Sequence, residues 1–306
     1  MNQGWTYHNR VDSTTAGLTL LAFYSKRYPH SSRQEWQERI ESGQVRLEGK
    51  QTDPEVVLAN GQTLSYHRPP WKEPDVPLSF DVLHEDAEIL VVSKPSGLPV
   101  LPGGGFLEHT LLHQVKIRFP SHTPRPIHRL GRGTSGVMLM AKSRQARAHL
   151  SQQMRKRHIQ KRYRALIGAD PVDQPLAEHF DINQAIGKVP YPGWGEVYAA
   201  NDSGRASHSV CKVLQRRSDS TLLSVLITTG RPHQIRIHLA SIGYPLLGDP
   251  LYGVGGQPKP VPQAQSRPVP GDCGYFLHAH SLQFIHPQTN QKMQFISPPP
   301  PQLSLL

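Results

Sequence analysis

Two cysteines, Cys211 and Cys273, are all that the 306 residues contain. They lie far apart and form no Cys-x-x-Cys pair, which argues against a disulfide framework or a zinc ribbon and fits the reducing cytoplasm. Long apolar runs are missing too. The longest near the start, Ala16 to Tyr24, is interrupted by Thr19 and is too short to span a bilayer. It also lacks the basic leader and small-residue cleavage site of a secretory signal, so neither a membrane span nor a targeting segment is expected. The third absence is local: from His109 to Ala169 there is no Asp or Glu, while the same 61 residues carry fourteen Lys/Arg and six His.

An ordinary solvated surface interleaves charges of both signs. Nothing within this segment offsets its positive field, whereas a phosphate backbone would do so through counterion release. The surplus over the whole chain is +11, with 34 Lys/Arg against 23 Asp/Glu. Residues 1–77 hold nine of each, so the entire excess lies beyond them. A nucleic-acid partner is the reading these numbers favour.

The length suggests about two domains. Residues 1–67 read as a small module. Ser32 with Glu35 three positions on is a capping box, Trp36 and Ile40 follow at i, i+4, and Gly43 sits where a helix stops. Val45 and Leu47 alternate with polar residues, and Asn60-Gly61 marks a turn before Leu64 and Tyr66. Residues 68–77, with Pro69, Pro70, Pro74 and Pro77, read as a stiff linker. Residues 78–306 form the larger domain. Strands are expected at Leu90–Val92, Val137–Ala141, Ile159–Ile167 and Leu222–Thr228, the second buried on both faces. Ser143 can cap a helix carrying Ala146, Leu150 and Met154, and Pro232 at the first helical position can start one carrying Ile235, Leu239 and Ile242. Gly255–Gly274 reads as a mobile surface loop. The mixture predicts an α+β fold with a mixed, largely antiparallel sheet.

Four segments of the larger domain, in order, carry the chemistry: Lys94-Pro-Ser-Gly-Leu-Pro-Val100; Ile127-His-Arg-Leu-Gly-Arg-Gly-Thr-Ser-Gly136; Gln160-Lys-Arg-Tyr-Arg-Ala-Leu166; and Thr229-Gly-Arg-Pro-His-Gln-Ile-Arg-Ile-His-Leu239, continued by Gly248-Asp-Pro-Leu-Tyr-Gly253. Leu277-His-Ala and His286-Pro287 are weaker additions. The ordered set resembles the RluA family of pseudouridine synthases, and residues 1–67 resemble the alpha-L RNA-binding module. The resemblance implies a pseudouridine synthase domain that isomerises a uridine of a structured RNA, ribosomal or transfer. It implies a monomer working without metal or organic cofactor, on a nucleotide flipped out of its stack.

Breaking a glycosidic bond calls for a carboxylate that attacks carbon, steadies the developing sugar cation or acts on the base. The resemblance puts that Asp at residue 131, which here is Gly131; Glu108 and Asp170 are the nearest acids in sequence. It assigns Tyr163 to stacking under the base and proton transfer, and Arg236 to pairing with the Asp. Arg129, Arg132, Thr134, Lys161, Arg231 and His233 are assigned to RNA contact. With Gly131 in place, the charge of Arg236 would need water, a phosphate or another acid. Asp249 reads as a turn residue rather than a relocated base, and His128, without metal-ligand companions, reads as structural. Two readings stay open: an active synthase using a substitute group, and an RNA-binding protein that has lost catalysis. A different enzyme, such as a glycosidase-like hydrolase, lacks paired carboxylates in the motif region. On the sequence, a Gly131→Asp variant should gain activity if the carboxylate is all that is lacking.

Overall fold

The computed structural model describes residues 1–121, 123–169, 175–192, 194–260 and 268–306. The chain separates into two compact units: residues 1–73 with 191–196, and residues 74–190 with 197–306.

The first unit contains β1 (Trp5–Arg10), α1 (Leu20–Arg27), α2 (Arg33–Glu41), β2 (Val45–Leu47) and β3 (Thr63–Arg68), with its sheet in the order β1-β3-β2. The Ser32/Glu35 capping box forms, and Gly43 follows the α2 C-cap at φ 74°. Trp36 and Ile40 enter a core with Leu20, Phe23, Tyr24, Val45 and Leu64. Residues 68–73, expected as part of a spacer, are tied into this unit instead. The Asn2 side chain accepts from the Trp71 N–H at 3.0 Å and donates to Glu73 Oε1 at 2.8 Å, and Glu73 is buried.

The second unit begins with β4 (Asp81–Glu85), β5 (Ile89–Lys94), α3 (Leu111–Arg118), β6 (Arg125–Pro126), β7 (Ser135–Ala141) and α4 (Arg144–Arg155). It continues through β8 (Gln160–Gly168), β9 (His179–Ile182), the hairpin β10 (Ile186–Tyr191) and β11 (Gly195–Ala200), whose residues 191–196 are grouped with the first unit, β12 (Ser209–Arg216) and β13 (Ser220–Ile227). α5 (Gln234–Ser241), β14 (Leu277–Ile285) and β15 (Lys292–Ile296) close it. The main sheet runs β4-β5-β7-β14-β8-β13-β12-β9, with β15 beside β14 and β6 beside β7. Its one parallel pairing among the registered ladders, β14 with β7, sets His278 opposite Ser135; the others are antiparallel. The fold is therefore α+β with a mixed sheet.

Apolar runs explain the centre of that sheet. Ile89–Val92 and Val137–Ala141 are 0–3% exposed, as befits strands covered on both faces. Ser143 caps α4 by accepting from the Ala146 N–H. At α5 the expected start is displaced. His233, at φ 55°, is the N-cap and Pro232 lies outside the helix, because the loop is drawn in by Gln234. That side chain accepts from Thr229 Oγ1 and the Arg231 N–H, and donates to the His208 carbonyl and Ser209 Oγ. Within the expected Gly255–Gly274 loop, residues 261–267 lie outside the described part. Gly271 and Cys273 lie against the glycine motif described below.

Candidate functional site

Two of the sequence motifs meet at one loop. Lys94, at the end of β5, is 1% exposed, and its Nζ donates to the carbonyls of Pro95, Leu98 and Arg132 at 2.8, 2.8 and 3.1 Å. Burial draws this ammonium down to about 7. The Gly97 N–H also donates to the Arg132 carbonyl at 2.8 Å, and Ser96 Oγ donates to the Gly133 carbonyl at 2.7 Å. The Lys-Pro-Ser-Gly segment thus clamps the backbone of residues 131–134 ahead of β7. From the other side, Arg132 Nε donates to the Gly271 carbonyl at 2.8 Å, and its guanidinium lies 5.3 Å from the centre of the Phe106 ring.

Beside this loop opens a cavity of about 460 Å³, within the roughly 300–1,000 Å³ of small-molecule sites. Its walls are His128 and Arg129, Met154 and Arg155 at the end of α4, Arg157 and Ile159 after it, Lys161 and Tyr163 of β8, and Ile227 to Arg231. Among the described residues, none that lines it is acidic. Tyr163 is 8% exposed, and burial raises its phenol well above the usual value, so it is protonated at neutral pH. Burial lowers Lys161, whose Nζ lies 3.8 Å from Met154 Sδ. His128 accepts from the Leu139 N–H at 3.2 Å, and burial pushes it down to about 3 with help from Lys161, so the ring is neutral. Arg231 reaches back with Nε and one terminal nitrogen to the Ala206 carbonyl.

Of the nine predicted site positions, Arg129, Lys161, Tyr163 and Arg231 line this cavity; Gly131, Arg132, Thr134, His233 and Arg236 do not. Arg236 has found the acid it required. Its Nε donates to Asp249 Oδ2 at 2.7 Å and a terminal nitrogen donates to Oδ1 at 2.8 Å, both side chains being at most 2% exposed. Asp249 also takes the N–H groups of Leu251 and Tyr252, so it is a turn residue and an ion-pair partner at once. Although burial opposes it, the bond from Arg236 holds this carboxyl below its usual value. His233 shares a 2.8 Å hydrogen bond with the Tyr252 hydroxyl and is pushed by burial down to about 3. Thr134, expected on RNA, is 4% exposed and bonds the Tyr275 hydroxyl at 3.2 Å. Asp170 lies outside the described residues.

The residue that sequence reasoning missed is Tyr275. A Cβ placed on Gly131 would stand 2.8 Å from the Tyr275 hydroxyl oxygen, and one on Gly133 would meet the same ring at 3.0 Å. The guanidinium of Arg236 lies 4.2 Å from that ring's centre. Burial raises the Tyr275 phenol while Arg236 opposes the rise. The only sequence signal was position, two residues ahead of Leu277-His-Ala. A side chain at residue 131 therefore has to displace the Tyr275 hydroxyl.

A glycine-containing loop, a basic cavity and a strand tyrosine stand together on a mixed sheet, the setting of an enzyme site for an anionic substrate. The family model described as RNA pseudouridylate synthase matches residues 88–241. An uncharacterized RNA pseudouridine synthase of Synechocystis sp. is 52% identical over 93% of this chain and 95% of its own length. RNA pseudouridine synthase 5 of Oryza sativa subsp. japonica is 42% identical over 98% and 88%. Ribosomal large subunit pseudouridine synthase D of Xanthomonas campestris is 32% identical over 97% and 90%. Among solved structures, human RNA Pseudouridylate Synthase Domain Containing 1 shares the fold, with a TM-score of 0.57 at 23% identity over 76% of this chain and 89% of that one. The chain belongs to the RNA pseudouridine synthase family, and its reaction class is the isomerisation of uridine to pseudouridine in RNA.

Proposed function

We propose that this enzyme modifies a uridine of a structured RNA, ribosomal rather than transfer, as a cytoplasmic monomer using no metal or organic cofactor. The observation that carries the reading is the cavity, in which Tyr163 stands among Arg129, Arg155, Arg157, Lys161 and Arg231. An extruded uridine needs a surface for its base and cations for the flanking phosphates, and such a wall supplies both. The choice of ribosomal RNA rests on the name of the Xanthomonas relative. Residues 1–67 act as an alpha-L-like module that adds grip on folded RNA. Arg129 and Arg231 take phosphates and Tyr163 faces the base. Arg236, through Asp249 and Tyr275, keeps the site in shape.

The test is incubation of the purified protein with RNA from a strain lacking the gene, followed by position-resolved detection of pseudouridine. A site that appears with wild type and fails with Tyr163→Phe supports the reading. The lack of an acid among the described wall residues favours the alternative of an RNA binder without turnover, and tight binding with no new pseudouridine would decide for it.

A further inference from the structure

Cleaving the bond between C1′ and N1 requires a group that takes the sugar carbon or its charge, yet among the described residues none that lines the cavity carries a carboxylate. Asp249 is not free to serve, since both its oxygens are engaged by Arg236 and one also by two backbone N–H groups. The remaining oxygen at the right place is phenolic. The Tyr275 hydroxyl stands 2.8 Å from the Cβ position of residue 131, close to where a carboxylate on that residue would put its own oxygens. Gly131 itself is exposed, and Tyr275 beside it is 5% exposed. The ring is fixed from three directions: Gly131 and Gly133 leave it room, Thr134 bonds its oxygen, and Arg236 lies over its face. A cation over the ring favours the phenolate as negative charge develops on oxygen.

We propose that Tyr275 replaces the missing carboxylate as the nucleophile of this synthase. The inference rests on the isomerase reading above. In the first step the Tyr275 oxygen bonds to C1′ while the C1′–N1 bond breaks, its electron pair going to uracil N1. The phenolic proton passes to the departing base, which leaves as neutral uracil. After the base turns, C5 bonds to C1′ and the C1′–Oη bond breaks, the pair returning to the tyrosine oxygen. The C5 proton then restores the phenol. Atoms and charge balance with no further reactant, and the product is pseudouridine. Tyrosine is an established nucleophile at sugar carbons in some glycosidases.

The experiment uses full-length protein and RNA from a strain lacking the gene, in single turnover. Tyr275→Phe should lower the rate roughly a hundredfold to ten-thousandfold, the range for one positioned catalytic group, while RNA affinity and melting temperature stay near wild type. Gly131→Asp/Tyr275→Ala should be faster than Tyr275→Ala alone, because the collision at residue 131 is gone and a carboxylate is back. Quenched wild-type reactions should yield a peptide containing Tyr275 that carries a ribose-linked nucleotide. A Tyr275→Phe enzyme as fast as wild type would show that the ring only fills space and would leave the isomerase reading intact. Wild type that binds RNA but forms no pseudouridine would overturn both.

Discussion

The Arg236–Asp249 pair sets the terms at the scale of single residues. Both side chains are almost wholly buried, so each charge survives only through the other. Replacing one partner leaves an uncompensated buried charge, which costs about 3–5 kcal/mol. Asp249→Asn should therefore destabilise the second unit by that order in chemical denaturation. It should also release Arg236 from its place over Tyr275 and lower turnover. The folded-state pKa of Asp249 lies below its unfolded value, so its contribution is full above about pH 4 and is lost as pH falls through the folded value. The stability gap between wild type and Asp249→Asn should accordingly narrow on acidification below about pH 4; a gap that is constant with pH would refute the ionised pair.

At the scale of elements, two short motifs act through the loop they hold. Lys94, Ser96 and the Gly97 N–H all donate to the carbonyls of Arg132 or Gly133, which fixes the backbone carrying Gly131. Removing the Ser96 hydroxyl takes away one such bond, worth about 0.5–1.5 kcal/mol. Ser96→Ala should thus cost little stability but lower kcat, read by single-turnover rates beside denaturant midpoints. Gln234 performs the same service for Thr229 and Arg231 on the cavity rim. In the first unit, Ser32→Ala removes a capping box, a change of about 1 kcal/mol. It should leave the chemistry of the second unit unchanged on a bound RNA.

For the whole molecule, two fields matter. The basic stretch of residues 109–169 supplies His128, Arg129, Arg155, Arg157, Lys161 and Tyr163 to one cavity, so RNA affinity should fall steeply with salt. A log–log plot of affinity against salt that is nearly flat would sink the phosphate-contact reading. Acid acts through histidines. His128 and His233 are pushed down to about 3, His238 and His278 to about 4, all chiefly by burial. Their unfolded value is about 6.5. Between those limits the unfolded chain holds protons that the folded one refuses, so stability is full above about pH 6.5 and is lost as pH falls toward 4. Melting temperature measured from pH 7 to pH 4 should fall throughout; a plateau down to pH 5 would contradict it.

What the sequence determined by itself follows from periodicity, charge and ordered motifs. Val137–Ala141 had to be a buried strand because it offers no polar face, and Ser32 with Glu35 had to cap a helix because the spacing lets each reach the other's backbone. The missing acids around Arg129 told of an anionic partner, and the motif order identified the family. Tertiary structure alone decided how the site is wired. Arg236 and Asp249 are thirteen residues apart, and Gly131 and Tyr275 are 144 apart. Nothing local in either pair states that one side chain occupies the space the other vacates. The start of α5 escaped for the same reason, since Gln234 draws in its loop through His208 and Ser209, where β12 begins. Local propensity is written along the chain, whereas the filling of a glycine's empty volume is a property of packing between segments that meet only after folding.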